Sequence, residues 1–488
     1  MRLTPAVDVG GWITEADRRR RGSVSVDGST SMIGGSAGLL GVLWLIGIGQ
    51  GRVYWLPLGV LYGIVVTVVI GSRATDPGRG LIWGLGTGVL AWVLSVGTFL
   101  SLSSLLGFVE LTTVDTHVPT LIRILLGLGA PVGLAVGLWQ TRRTDGPLEP
   151  IDPVRALFAG GIAGVVGGWG FSIWMADVGM FPLVAELVGT TSPGLGRLVH
   201  FLIAVFIGVT FGLLFQRDAR GHGSSMTWGL AYGLFWWLLG GLTLFPFFLG
   251  STVTWTGAAV SGQLGSFVGH AVYGILLGVL YSIVDRTWLT LFYESDPLNR
   301  SVTAPGITVL QRTGWGLLAS LVGGLIFGGI MWTTGDLVAV AELVGQPSPT
   351  VGFLVHIAIS AIIGVTYGQL YCYESWTVGS GVAWGFLYGL IWWFVGALTL
   401  FPALLGAPLA WSGTAMAAAF PSLIGHLAYG GATGGVFYLL ERRQRKWGRL
   451  HPRFTDRERD RRRTAGTPAP AAWLFILGLG MFVLVVVL

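Results

Sequence analysis

Lysine and cysteine are almost missing from this sequence: among 488 residues, Lys446 is the only lysine and Cys372 the only cysteine. A single cysteine excludes an internal disulfide, a CxxC redox pair and a thiolate metal cluster. A single lysine, set in RRQRKWGRL, excludes the phosphate-binding GxxxxGK[ST] loop and so argues against ATP-driven work by this chain. No HExxH zinc-protease signature occurs. GGSAG at Gly34 to Gly38 fits the pattern GxSxG, but no strand-like stretch precedes it, and 79 glycines make a chance match unsurprising. Charge is scarce as well, at 11% against the roughly 25% usual in soluble domains.

What fills the chain is apolar: 52% of residues are hydrophobic and the mean hydropathy is +0.72. Runs of about 20 such residues cross roughly 30 Å of hydrocarbon as helices. The pattern predicts an all-α, polytopic membrane protein with about thirteen spans. The first runs from 33 to 48, the third from 81 to 106, and the last from 471 to 488. Arginine sets the expected orientation, because short loops rich in Lys and Arg stay cytoplasmic. Arg18 to Arg21, Arg73, Arg79, Arg142, Arg143, Arg155, Arg217, Arg286 and Arg312 flank one side, against Arg52, Arg123 and Arg197 on the other. The N-terminus is therefore expected in the cytoplasm and the C-terminus outside, in the cell membrane, with no cleaved signal peptide needed. The pI near 9.7 then reflects topology, and nucleic acid is not an expected partner.

The chain repeats itself. YGLFWWLLGGLTLFPFFLG starts at Tyr232 and YGLIWWFVGALTLFPALLG at Tyr388, 388 − 232 = 156 residues apart. The same offset pairs Glu186 with Glu342, His200 with His356, Trp228 with Trp384, Trp255 with Trp411, His270 with His426 and Tyr273 with Tyr429. A fainter third copy, GLIWGLGTGVLAWVLSVGTFL from Gly80 to Leu100, lacks the histidines. The expected organisation is a basic cytoplasmic segment (1–32), a degenerate four-helix repeat (33–140), two well-matched four-helix repeats (155–286 and 312–443), a basic cytoplasmic linker (444–470) and a terminal anchor helix (471–488). Four spans is an even number, so successive copies enter the membrane the same way up. Faces between such helices need small residues, which glycine supplies.

Four histidines stand out. His200 and His270 each sit about five residues into spans that start outside, which is roughly 7 Å of depth. Each heads a stripe of small residues at helical spacing, as do His356 and His426, so the imidazoles are expected to face protein. The outer loops VAELVGTTSPGLG and VAELVGQPSPTVG each add one carboxylate, and two further outer loops keep Trp255 and Trp411. Glu186, His200 and His270, with Tyr273 and Trp255 near, are expected to converge on an outward-facing solute or ion site, and Glu342, His356 and His426, with Tyr429 and Trp411, on its twin. Two histidines and a carboxylate suit a divalent transition metal. Paired histidines at equal depth also suit haem b, and a membrane histidine also serves simply to hydrogen-bond a neighbouring helix. The expected function is a channel or secondary transporter for a small solute or cation in the lipid bilayer. The alternatives are a haem-binding or redox-linked membrane protein, or a non-transporting scaffold. In each repeat the paired tryptophans, Trp236–Trp237 and Trp392–Trp393, fall near mid-span, so one ring of each is expected to face inward.

Overall fold

A computed structural model describes residues 27–94, 114–143, 151–219, 221–292, 305–372, 374–375, 377–448 and 470–487. Among these the chain is all-helical, and eleven helices are long and apolar enough to cross a membrane. The protein is thus polytopic in the membrane. Two of the thirteen expected spans are not among the eleven. The third, 81–106, runs into residues outside the description and is seen as the sixteen-residue helix Pro77–Trp92, and the last is the helix Pro470–Val487. The segment 1–26 and most of the linker 444–470 also lie outside the described residues.

The chain divides into two compact units. The first contains helices α1 (Gly28–Gly47), α2 (Leu56–Ile70), α3 (Pro77–Trp92) and α4 (Ala130–Arg143), the last entered through a π-helical stretch at Arg123–Gly129. Here α1 packs on α2 and on α4, and α4 packs on α3. Glycine makes these contacts close. A Cβ added at Gly38 would meet Gly59 O at 2.0 Å, and one added at Gly84 would meet Gly129 O at 2.0 Å. No side chain fits in those seams.

The second unit holds two sets of four helices and a final one. The first set is α5 (Pro153–Asp177), α6 (Pro193–Phe215), α7 (His222–Trp236) and α8 (Leu264–Phe292). The next is α9 (Pro305–Thr334), α10 (Pro349–Tyr371), α11 (Val378–Trp392) and α12 (Phe420–Gly448), and α13 (Pro470–Val487) follows. In both sets the first helix packs on the second and the fourth, and the fourth packs on the third. That is the pairing seen among α1 to α4. The glycine seams match too: Gly229 against Gly274 O at 2.2 Å and Gly385 against Gly430 O at 2.0 Å stand where Gly84 meets Gly129.

Second and third helices within a set scarcely meet, and large aromatics fill the space between them. Phe215 packs against Trp228 and Tyr232, and Phe211 packs against Tyr232 and Tyr281. Tyr371 takes the same place against Trp384 and Tyr388, with Tyr367 beside it. One end of each arrangement carries charge. Asp27 caps α1 and pairs with Arg143 of α4 at 2.8 Å, while Arg155 of α5 pairs with Asp285 of α8 at 3.0 Å. The backbone N–H of Thr30, helped by the Ser29 hydroxyl and Arg143, holds the exposed Asp27 carboxyl well below the usual carboxylate range.

The repeated aromatic sentence folds as α-helix that widens into π-helix. The π stretches are Trp237–Leu244 after α7 and Trp393–Leu400 after α11. Inserted turns of this kind leave carbonyls to be satisfied by other groups, and the Thr243 and Thr399 hydroxyls donate to Leu238 O and Phe394 O at 2.8 and 2.7 Å. Pro246 and Pro402 begin the short α-turns that follow. Trp237 and Trp393 are the inward rings, at 0% and 2% exposure, and Trp236 and Trp392 are half-buried.

Candidate functional site

Each imidazole is oriented by a backbone carbonyl. The His200 Nε2–H donates to Gly168 O at 2.9 Å, across from α6 to α5. The residue accepting is glycine because the helices are too close there for a larger one: a Cβ at Gly168 would meet that of Ala204 at 2.7 Å. His270 Nδ1–H donates to Ser266 O at 2.8 Å, one turn back along α8. A neutral imidazole that donates from one nitrogen keeps a lone pair on the other. For His200 that is Nδ1 and for His270 it is Nε2, and neither makes a hydrogen bond among the described residues.

Phe171 of α5 joins the two rings. It stands edge-on to His200 at 5.8 Å and to His270 at 4.9 Å between ring centres, seated on Gly269. The second set reproduces this. His356 Nε2–H donates to Gly324 O at 3.0 Å, His426 Nδ1–H donates to Ser422 O at 2.7 Å, and Phe327 meets the two imidazoles at 5.2 and 4.9 Å above Gly425. Tyr273 and Tyr429 bind the layer below, their hydroxyls donating to Ala204 O at 2.7 Å and Ser360 O at 2.9 Å.

The carboxylates do not join them. Glu186 begins a 3-10 turn after the short helix Phe181–Ala185, Glu342 ends the short helix Leu337–Glu342, and both are exposed. Among the described residues no three His, Cys, Asp or Glu side chains form a group able to hold a metal. The expected Glu/His/His ligand sets are therefore corrected to imidazole pairs. The physical reason is that both glutamates sit on short helices at the solvent edge, while the imidazoles turn inward toward Gly168 and Gly324. Trp255 and Trp411 are buried, at 1% and 2% exposure, in the loops that follow the π stretches. Trp411 Nε1–H donates to Thr399 Oγ1 at 3.0 Å and its ring lies tilted against Trp174, 5.8 Å between centres, so it holds the π-helical end in place and ties one set to the other.

Sequence reasoning missed the phenylalanine. Phe171 and Phe327 obey the same 156-residue offset as the histidines, and so do their seats Gly269 and Gly425, so the signal was present. Arg197 shows where the sets diverge: it lies over the Phe181 ring at 5.0 Å, and Phe353 stands at its counterpart against Gly328.

Comparison with protein-family models, with curated proteins and with solved structures finds no match for this chain.

Proposed function

We propose that this membrane protein is a channel or secondary transporter for a small cation or solute, built from same-way-up four-helix repeats, of which α1 to α4 form the degenerate one. The observation that carries the reading is the duplicated imidazole pair. Each ring is locked by one carbonyl bond and leaves a lone-pair nitrogen on the second atom, the arrangement by which histidine ligands are oriented in metal sites and proton relays. Ionisable residues inside spans are costly and mark solute or proton paths. With only two protein ligands at each pair, a cation would complete its shell with water and bind weakly enough to leave, as conduction requires.

Haem b has less support, because a phenylalanine ring stands against both imidazoles where a porphyrin would need a flat face to each. The test is flux into proteoliposomes loaded with a pH dye or a divalent-cation dye, for the native chain and for His270→Gln/His426→Gln. Entry of protons, Zn²⁺ or Mn²⁺ that falls about tenfold in the double variant is the expected result. A folded native chain that moves none of the three would leave the scaffold reading, and a Soret band in the purified protein would revive haem.

A further inference from the structure

The described side chains of the last helix pack on protein. None of residues 471–480 is exposed, and Ala472, Phe475, Ile476 and Leu479 are fully buried. A helix apolar on every side belongs either in lipid or inside protein, and the burial places α13 inside. Within its unit it packs against α7 and α11, the third helices of both sets, and against the short helices Gly257–Gly262 and Gly413–Ala418 in the loops that follow them. It therefore fills a space between two equivalent elements.

That filling is looser than the seams around it. Within each set, helices meet glycine to carbonyl, with no room for a methyl group. Beside α13, an apolar cavity of about 30 Å³ remains, bounded by Leu477, Gly480 and Val483 on α13 and by Leu390, Trp393 and Phe267 across from it. A Cβ on Gly480 would meet no atom within 4 Å. The volume would admit a water, but its lining offers that water no polar partner. Its wall is the π-helical start at Trp393 together with Phe267, which lies one turn from His270 on α8.

We propose that α13 is an internal stopper: it closes a path between the third helices of the two sets, and its displacement admits water to the layer next to the imidazole pairs. The purpose of the path rests on the transport reading; the stopper itself does not, because it is tested by access rather than flux. Apolar walls of this kind close a pore by excluding water even before they touch.

The test uses the full chain with Cys372→Ala and a reporter, Leu390→Cys, whose native side chain is 4% exposed. N-ethylmaleimide reacts with thiolate, which requires water at the sulfur, so its rate reports wetting. In the otherwise native chain the reporter is expected to resist. With Leu479→Ala it should react several-fold faster, and with Phe475→Ala/Leu479→Ala/Phe482→Ala at least tenfold faster, while elution and helicity stay native. Equal rates in all three proteins would overturn the stopper. If the triple variant fails to fold, the single variant decides alone: a native rate there overturns the proposal. Loss of flux in His270→Gln/His426→Gln tests the transport reading separately.

Discussion

The four helices from Gly28 to Arg143 and the four from Pro153 to Phe292 pack alike but are chemically unlike at one place. Contact by contact, the second, third and fourth helices of the two sets match at an offset of 145, as when Gly84–Gly129 becomes Gly229–Gly274 and Gly59 becomes Ala204. The first helices match at 126, Gly34 standing for Gly160. At these offsets His200 corresponds to Trp55, His270 to Leu125 and Phe171 to Leu45. Where one set holds two imidazoles about a phenylalanine, the other holds Arg123 over the Trp55 ring at 5.7 Å, with Arg123 bonded to Gln50 at 3.0 Å. The difference between the offsets, 145 − 126 = 19 residues, falls in the loop that carries Glu186 in the later set. The packing frame and the polar centre are thus separable: glycine seams give the same frame with the imidazoles and without them.

The largest effect should come from breaking that shared frame. Gly84→Val, Gly229→Val and Gly385→Val each force a side chain onto a carbonyl about 2 Å away, and overpacking of this kind costs about 3 kcal/mol. Thermal unfolding in detergent should show a similar loss for all three, and a tolerant Gly84 would break the equivalence of the sets. Similar in size but more telling is truncation at the centre. Phe171→Ala and Phe327→Ala should each lose about 3 kcal/mol and match one another in chemical denaturation, with Leu45→Ala below both because a smaller side chain is removed; unequal phenylalanine variants would show that the two pairs have diverged. The smallest effect concerns Asp27. Its carboxyl is held below its unfolded value, so its contribution is complete above about pH 4 and is lost as pH falls toward the folded value. Asp27→Asn should lower stability slightly at neutral pH, where the carboxylate contributes, and converge with the native chain as pH falls, flattening the acid limb. A variant that melts like the native chain at every pH would remove Asp27 from the account.

Much of this was legible in the sequence, and what was not has identifiable causes. Apolar run length placed the spans because the bilayer fixes helix length. The 156-residue offset placed His200 beside His356 in kind, and small-residue stripes turned the imidazoles inward, toward Gly168 and Gly324. The likeness of the first set to the second showed in the sequence only through Gly80 to Leu100, since the shorter loop shifts α1 out of register with the rest. The glutamates misled because a carboxylate in an apolar loop reads the same whether the loop folds in or stays at the edge. The packing of the terminal helix was not legible for a related reason: an all-apolar helix has one composition whether its sides meet lipid or protein. Its neighbours, the third helices of two distant sets, are set by tertiary packing that no local pattern announces.

The ion pairs at the ends of the first and fourth helices have opposite polarity in the two sets: acid on the first helix at Asp27 with Arg143, base on the first helix at Arg155 with Asp285. A newly inserted α1 that tried to close on α8 would bring two carboxylates together, and α5 on α4 would bring two guanidinium groups together. Near-identical glycine seams give no such discrimination. The reversed charges therefore disfavour cross-pairing between these two sets, whose glycine surfaces look alike.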